Sequence, residues 1–337
     1  MRTIEWSDEK ECILLVDQTL LPVEYKVLEC SKPEDLIEAI KSLRIRGAPA
    51  LGAAGAFGVA LSAYKSISSD VDELKNDLDK AAEDLKGTRP TAVNLFYGIE
   101  RTLKRAKSGG TLNEVRKLAL DEAEKIAEED VQTNRLIGEY GEELLKDGDS
   151  IMTHCNAGKM ACVDWGTALG VIRSAVAKGK RIEVISCETR PLNQGSRITT
   201  WELMQDKIPV TLIVDSASGH MMRTGAIDKI IVGADRIVKD GVFNKIGTYN
   251  HAVLAKAHKI PFYVAAPVST FDLDRESKDI VIEERGAGEL RYFRREQIAP
   301  SDVKVRNPAF DFTPMELVSA IIADKGVFYP SEGPISL

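Results

Sequence analysis

No CxxC pair occurs in this chain, and its five cysteines (Cys12, Cys30, Cys155, Cys162, Cys187) are scattered and odd in number. That excludes a disulfide framework or a zinc ribbon and points to a reducing compartment, the cytoplasm. Positive charge is not in excess either. Lys plus Arg number 45 against 52 Asp plus Glu, a net −7, so nucleic acid and anionic membrane are poor partners. The residues after Met1 lack the apolar core of a signal peptide. One uncharged run, Ala48–Leu61, is built from Ala and Gly rather than strongly apolar residues. It falls short of the roughly 18–20 such residues a membrane span needs and reads as a tightly packed buried helix. No GxGxxG follows the first strand of the C-terminal half, and GxxxxGK[ST] is absent. His220, His251 and His258 show no HExxH spacing. A dinucleotide fingerprint, a P-loop and a zinc-protease helix therefore drop out. There is no internal repeat and no low-complexity tract.

What is present is an ordinary globular composition, 44% hydrophobic and 29% charged over 337 residues, enough for two domains. Short strands are expected at Thr3–Trp6, Cys12–Asp17 and Glu24–Glu29, separated by charged and proline-containing turns. From Lys32 to about Leu145 the apolar spacing turns helical, with solvated amphipathic helices beginning near Ser31 and Asp70. The charged run Asp121–Asp130 reads as the wet face of a long helix joining two halves.

After Gly148 the register changes. Apolar strands at Ser150–Thr153, Ile182–Ser186, Val210–Val214, Lys229–Val232 and Phe262–Ala266 alternate with helices near Met160–Ala177, Arg197–Gln205, His220–Arg223 and Tyr249–His258. This alternation predicts an α/β fold: a C-terminal Rossmann-like parallel sheet with helices on both faces, preceded by a smaller N-terminal domain of short strands and helices. The expected division is an N-terminal strand-plus-helical domain over 1–125, a connecting helix over 126–147 and the catalytic domain over 148–337.

Ligands in such sheets bind where strands end and helices begin. Small, polar or charged residues follow each strand here: Cys155-Asn156-Ala157-Gly158, Glu188-Thr189-Arg190, Asp215-Ser216, Gly233-Ala234-Asp235 and Pro267-Val268-Ser269-Thr270. Cys155 is expected at a helix start, where unpaired N–H groups and the helix dipole favour a thiolate, although free cysteine is also a common core residue. Asp235, 80 positions on, falls on the same sheet edge. If partly shielded there, its carboxyl group could donate a proton; alternatively it caps a turn or pairs with Arg236. His154 is no obvious activator of Cys155, because neighbours in extended chain point to opposite faces. Three segments could hold a phosphate ahead of a helix: Arg46-Gly47-Ala48-Pro49, Gln194-Gly195-Ser196-Arg197 and Asn244-Lys245-Ile246-Gly247-Thr248.

These same residues carry a resemblance. Arg46-Gly47-Ala48-Pro49-Ala50, Arg89-Pro90-Thr91-Ala92-Val93-Asn94-Leu95 and Thr153-His154-Cys155-Asn156-Ala157-Gly158 resemble the methylthioribose-1-phosphate isomerase family. So do Glu188-Thr189-Arg190-Pro191, Gln194-Gly195-Ser196-Arg197, Gly233-Ala234-Asp235-Arg236-Ile237 and Asn244-Lys245-Ile246-Gly247-Thr248-Tyr249. The wider superfamily also holds ribose-1,5-bisphosphate isomerase and regulatory subunits of translation initiation factor 2B. The resemblance implies a catalytic pair, Cys155 and Asp235, with substrate contacts at Arg46, Gly47, Ala48, Arg89, Gln194, Asn244 and Lys245. It also implies a phosphorylated pentose substrate, a homodimer, a place in methionine salvage, and chemistry that needs neither metal nor redox cofactor. Other readings are ribose-1,5-bisphosphate or 5-deoxyribose-1-phosphate isomerase, or a non-catalytic regulatory subunit. Two segments depart from the family pattern, Gly241-Val242-Phe243 and the glycine-rich end of Glu283–Glu289, and either could reshape specificity.

Overall fold

The structure, a computed structural model, describes residues 1–90, 92–293, 295–333 and 335. Thr91, within the second motif above, lies outside the described residues. The chain forms two compact units, residues 1–135 with 157–170, and residues 136–156 with 171–337.

The first unit opens with three antiparallel strands, β1 (Ile4–Ser7), β2 (Cys12–Val16) and β3 (Val27–Cys30). Helices α1 (Pro33–Lys41), α2 (Ala48–Lys65), α3 (Val71–Lys86) and α4 (Val93–Ala106) follow. The Ala/Gly run is, as expected, a buried helix: every residue of α2 from Ala50 to Ala63 is buried. Small residues let helices approach closely, and a Cβ at Gly98 of α4 would collide with the Gly52 carbonyl of α2. No described helix is long and apolar enough to cross a membrane. Helix α5 (Leu112–Glu142) contains the acidic run, much of it exposed. Asp130 instead turns inward and accepts the Val163 N–H at 2.7 Å, and burial pushes its carboxyl group up to about 7.

The second unit alternates strands and helices: β4 (Ser150–Thr153), α6 (Ala168–Ala177, whose first turn belongs to the first unit), β5 (Glu183–Cys187), α7 (Thr200–Gln205), β6 (Val210–Ile213), α8 (Ser218–Arg223) and β7 (Lys229–Val232). After it come β8 (Arg236–Val238), β9 (Gly241–Lys245), α9 (Thr248–His258), β10 (Phe262–Ala265) and β11 (Phe271–Asp272). The remainder is α10 (Gly288–Arg291), the pair β12 (Tyr292–Phe293) and β13 (Glu296–Gln297), then β14 (Phe310–Pro314), β15 (Ala320–Ala323) and β16 (Gly326–Phe328).

The main sheet has the order β16-β15-β10-β7-β4-β5-β6, parallel except for the edge strand β16. β7 and β15 are buried along their whole length, as parallel strands covered on both faces must be, which explains their runs Lys-Ile-Ile-Val and Ala-Ile-Ile-Ala. The order also positions a site. From β4 the chain adds β5 and β6 on one side, then crosses to add β7, β10 and β15 on the other. The topological switch point, where open α/β sheets bind ligands, therefore lies between β4 and β7. A second sheet, β11-β8-β9-β14, accompanies it.

Candidate active site

Cys155 lies two residues beyond the end of β4, and Asp235 three residues beyond β7, its hydrogen-bonded parallel neighbour. Both strands run the same way, so thiol and carboxyl group share the carboxyl edge of the sheet at the switch point. Glu188-Thr189-Arg190 after β5 and Asp215 after β6 continue that edge on one side, Pro267 after β10 on the other.

The surroundings of Cys155 differ from expectation. It is not at a helix start: a short 3₁₀ turn spans Lys159–Ala161, and the first α-helix after it begins only at Ala168. The apolar residues Met160–Val163 continue a helical pattern in sequence, but the chain spends them in a loop anchored on the first unit's strands, with the Thr3 N–H donating to the Val163 carbonyl. Cys155 is instead half-buried in a left-handed backbone conformation, φ 64°. Its N–H donates to the Thr189 hydroxyl at 2.8 Å, and its carbonyl accepts from the Thr199 hydroxyl at 2.6 Å.

His154, as expected, does not serve Cys155. Its Nε2 faces the Ile246 carbonyl at 2.8 Å, which can only accept, so Nε2 carries the proton and Nδ1 is bare. Nδ1 accepts from His251 Nε2 at 3.2 Å, leaving His251 Nδ1 to accept from the Ser218 hydroxyl at 3.1 Å. Burial pushes His154 down to about 4 and His251 to about 3, so both rings are neutral at neutral pH. With Cys187 they form a trio whose ligand atoms lie within 4.8 Å of one another, the kind of set that could hold a transition metal. The ring nitrogens are already satisfied by one another and by the chain, and burial pushes the Cys187 thiol well up, which disfavours the thiolate a metal would need.

Asp235 is exposed, not partly shielded as expected, at a bend beyond the buried Gly233. Its N–H donates to the Phe243 carbonyl at 2.9 Å, tying the turn to β9.

The three expected phosphate cradles fare differently. Gly47, φ 102°, starts α2, which has no side-chain cap, and a Cβ there would strike the Ala161 backbone. Beside it, Arg46 Nε donates to Gln18 Oε1 at 3.2 Å, and Gln18 donates to the Met160 carbonyl. Arg89 sits half-buried in the turn before α4, its carbonyl accepting the Ala92 N–H. The start of α9, by contrast, is already occupied. Asp311 of β14 accepts the Gly247 N–H at 2.7 Å and the Tyr249 N–H at 3.1 Å. The carboxylate takes the place an anion would fill, and a phosphate there would face a like charge. Lys245 is buried, donating to the Ala309 carbonyl at 3.0 Å with its ammonium 4.8 Å from the Phe310 ring centre, and Asn244 donates to Thr248. At the third segment, Gly195–Thr199 form a π-turn, a feature that often marks functional sites, and amides before and within it bond back to the chain. Gln194 is buried just ahead of it, and its Oε1 has no hydrogen-bond partner among the described residues.

Of the two departures, Gly241-Val242-Phe243 is core: β9 pairs with β14 and the Phe243 ring packs on Phe312 at 5.2 Å. Gly286 and Gly288 face open space. Sequence reasoning passed over Thr199, His251 as a partner for His154, and Asp311; only Thr189, inside a strand-end segment, carried a signal.

A thiol and a carboxyl group flank the switch point of a parallel α/β sheet, the place where such sheets bind small polar ligands. The chain belongs to the initiation factor 2 subunit family, whose model matches residues 44–330. A Methanosarcina acetivorans protein, provisionally named methylthioribose-1-phosphate isomerase, is 63% identical over 330 residues, covering 98% of this chain and 95% of the relative. The structure titled 5-methylthioribose 1-phosphate isomerase from Pyrococcus horikoshii superposes with a TM-score of 0.92 at 46% identity, covering 98% of this chain and 92% of that one. One titled translation initiation factor eIF-2B, subunit delta, from A. fulgidus gives 0.91 at 62% identity, covering 98% and 96%.

Proposed function

We propose that this chain is an aldose–ketose isomerase that converts 5-methylthioribose 1-phosphate to 5-methylthioribulose 1-phosphate, a step of methionine salvage. The observation that carries the reading is that Cys155 and Asp235 lie just beyond the carboxyl ends of adjacent parallel strands. The names of the Methanosarcina and Pyrococcus proteins support the same substrate.

The anomeric oxygen of this sugar is esterified, so the ring cannot open on its own to an aldehyde. Asp235, exposed in the free chain and shielded only when the substrate covers it, gives a proton to the ring oxygen as its bond to carbon 1 breaks. The Cys155 thiolate takes the proton from carbon 2, leaving an enol across carbons 1 and 2. The carbon-2 hydroxyl then returns a proton to Asp235 while Cys155 hands its proton to carbon 1. The ketone stands at carbon 2, the phosphate stays on carbon 1, and both side chains end as they began. A hydride shift from carbon 2 to carbon 1 meets the same balance, with Cys155 stabilising the cation at carbon 1.

Arg46, Gly47 and Ala48, at the uncapped start of α2, take the phosphate together with Arg89. Gln194, Asn244 and Lys245 meet the sugar. The steps need no metal and no redox cofactor, and the chain works as a cytoplasmic homodimer. Phosphorus NMR of purified protein with methylthioribose 1-phosphate tests the reading: the ketose 1-phosphate signal should grow, and its absence would refute it.

A second reading rests on the initiation-factor title of the A. fulgidus structure. A regulatory subunit would bind a sugar phosphate or nucleotide and leave it unchanged, which the same spectrum distinguishes.

A further inference from the structure

We infer that Thr189 and Thr199 are positioning residues that clamp Cys155 by its backbone and so aim its thiol. The inference rests on the reading of Cys155 as the reacting thiol.

Cysteine rarely adopts a positive φ, because its Cβ then crowds the backbone, yet Cys155 is held at 64°. Something must oppose its return to the ordinary region. Two buried hydroxyls do so from opposite sides. The Cys155 N–H can only donate, so Thr189 Oγ1 accepts it at 2.8 Å and spends its own proton on the Cys187 carbonyl at 3.1 Å. The Cys155 carbonyl can only accept, so Thr199 donates at 2.6 Å and in turn accepts from Asn156 Nδ2 at 3.2 Å. Each hydroxyl thus has one available orientation, and both threonines are fully buried.

Each clamp is itself fixed. Thr189 also has a left-handed φ of 67°, and its N–H and that of Arg190 donate to the two oxygens of Asp215, both at 2.7 Å. Thr199 ends the π-turn, whose extra residue per turn alters which side chains face Cys155. Asn156 is held by Glu202 at 2.8 Å, and Glu202 by Arg173 at 2.8 Å. Neither hydroxyl donates to the thiol, so the pair acts on its direction and not on its chemistry.

The test compares Thr189→Val and Thr199→Val, which keep shape and remove the hydroxyl, with Thr189→Ser and Thr199→Ser, which keep it. Two readouts are taken on the full chain: kcat and KM with methylthioribose 1-phosphate, and the iodoacetamide alkylation rate of Cys155, followed by mass spectrometry of its peptide without substrate. Each Val variant should lose roughly a hundredfold in kcat, the cost of a misplaced reacting group, with KM within about twofold. Alkylation should slow, and both Ser variants should recover most of both rates. Should a Val variant not fold, Thr→Ala against Thr→Ser at that position makes the same comparison. An unchanged or faster alkylation rate in the variants lacking a hydroxyl overturns the clamp. Absence of turnover in the wild-type protein would remove the isomerase reading, while the alkylation comparison would still decide the clamp.

Discussion

The Asp311 carboxylate accepts the Gly247 N–H at 2.7 Å and so closes the start of α9. The start of α2 has no side-chain cap and has Arg46 beside it, and the proposed mechanism gives it the phosphate. Arg46→Ala should raise KM about tenfold or more, the worth of one charge-assisted hydrogen bond. Asp311→Asn should leave KM within about twofold. It should instead change the pH dependence of stability. Burial raises Asp311 to about 6, so wild-type stability from this group is present below the unfolded value near 3.8 and is lost as pH rises through 6. The loss is at most about 3 kcal/mol, less for a group that keeps some solvent contact. Urea melts of the two proteins at pH 4 and pH 7.5 check this, and parallel pH profiles would count against it.

Cys155→Ala and Asp235→Asn should each reduce turnover by about a thousandfold or more while ligand binding survives, because proton transfer at two centres is lost. Near-normal turnover in either variant would remove that residue from the mechanism. Running the wild-type reaction in deuterated water separates the two routes to the ketose. Deuterium at carbon 1 of the product means proton transfer through Cys155, and its absence favours the hydride shift or a base shielded from solvent.

The parts of this site that could be read from sequence are those that lie on strands. β4 and β7 begin and end where the apolar runs Ser150–Thr153 and Lys229–Val232 do, because buried parallel strands need unbroken apolar residues bounded by small or polar ones. The strand ends then place Cys155 and Asp235 on one edge. The helix at Met160 failed because Gly158 and Gly166 bridge to each other and hold the intervening chain in a loop. The contacts that shape the site join distant residues: Cys155 to Thr189 over 34 positions, Gly247 to Asp311 over 64, His154 to His251 over 97. No spacing rule reaches that far, and a threonine or aspartate at a turn looks the same whether it caps its own helix or another's.

The His154–His251 pair predicts acid sensitivity. Both rings are held below the unfolded value near 6.5, so their contribution is fully present above that pH and is lost as pH falls through about 4. Asp215 opposes the shift on His251, the Ile246 carbonyl opposes it on His154, and Lys245 reinforces it on His154. His154 alone should withdraw on the order of 3 kcal/mol by pH 4. His251→Gln should be less stable than wild type at pH 7.5, yet lose less on going to pH 5. Denaturant melts at the two pH values measure this, and an equal loss in both proteins would show that the pair does not titrate with unfolding.

Gln194 carries a buried acceptor, Oε1, that no described residue pairs with, although a buried acceptor left unpaired costs about 1–3 kcal/mol. An acceptor cannot pair with a fully ionised phosphate, which has no proton to give, so the proposed mechanism assigns it a hydroxyl of the sugar. Gln194→Met keeps the length and removes the orphaned oxygen. The free protein should then gain stability, by up to about 1 kcal/mol, while KM rises about tenfold or more. The two effects have opposite signs, which a purely structural glutamine would not produce. Thermal melts without ligand and steady-state kinetics on the same preparation measure both, and a variant that loses stability while keeping its KM would mean Gln194 serves the fold and not the substrate.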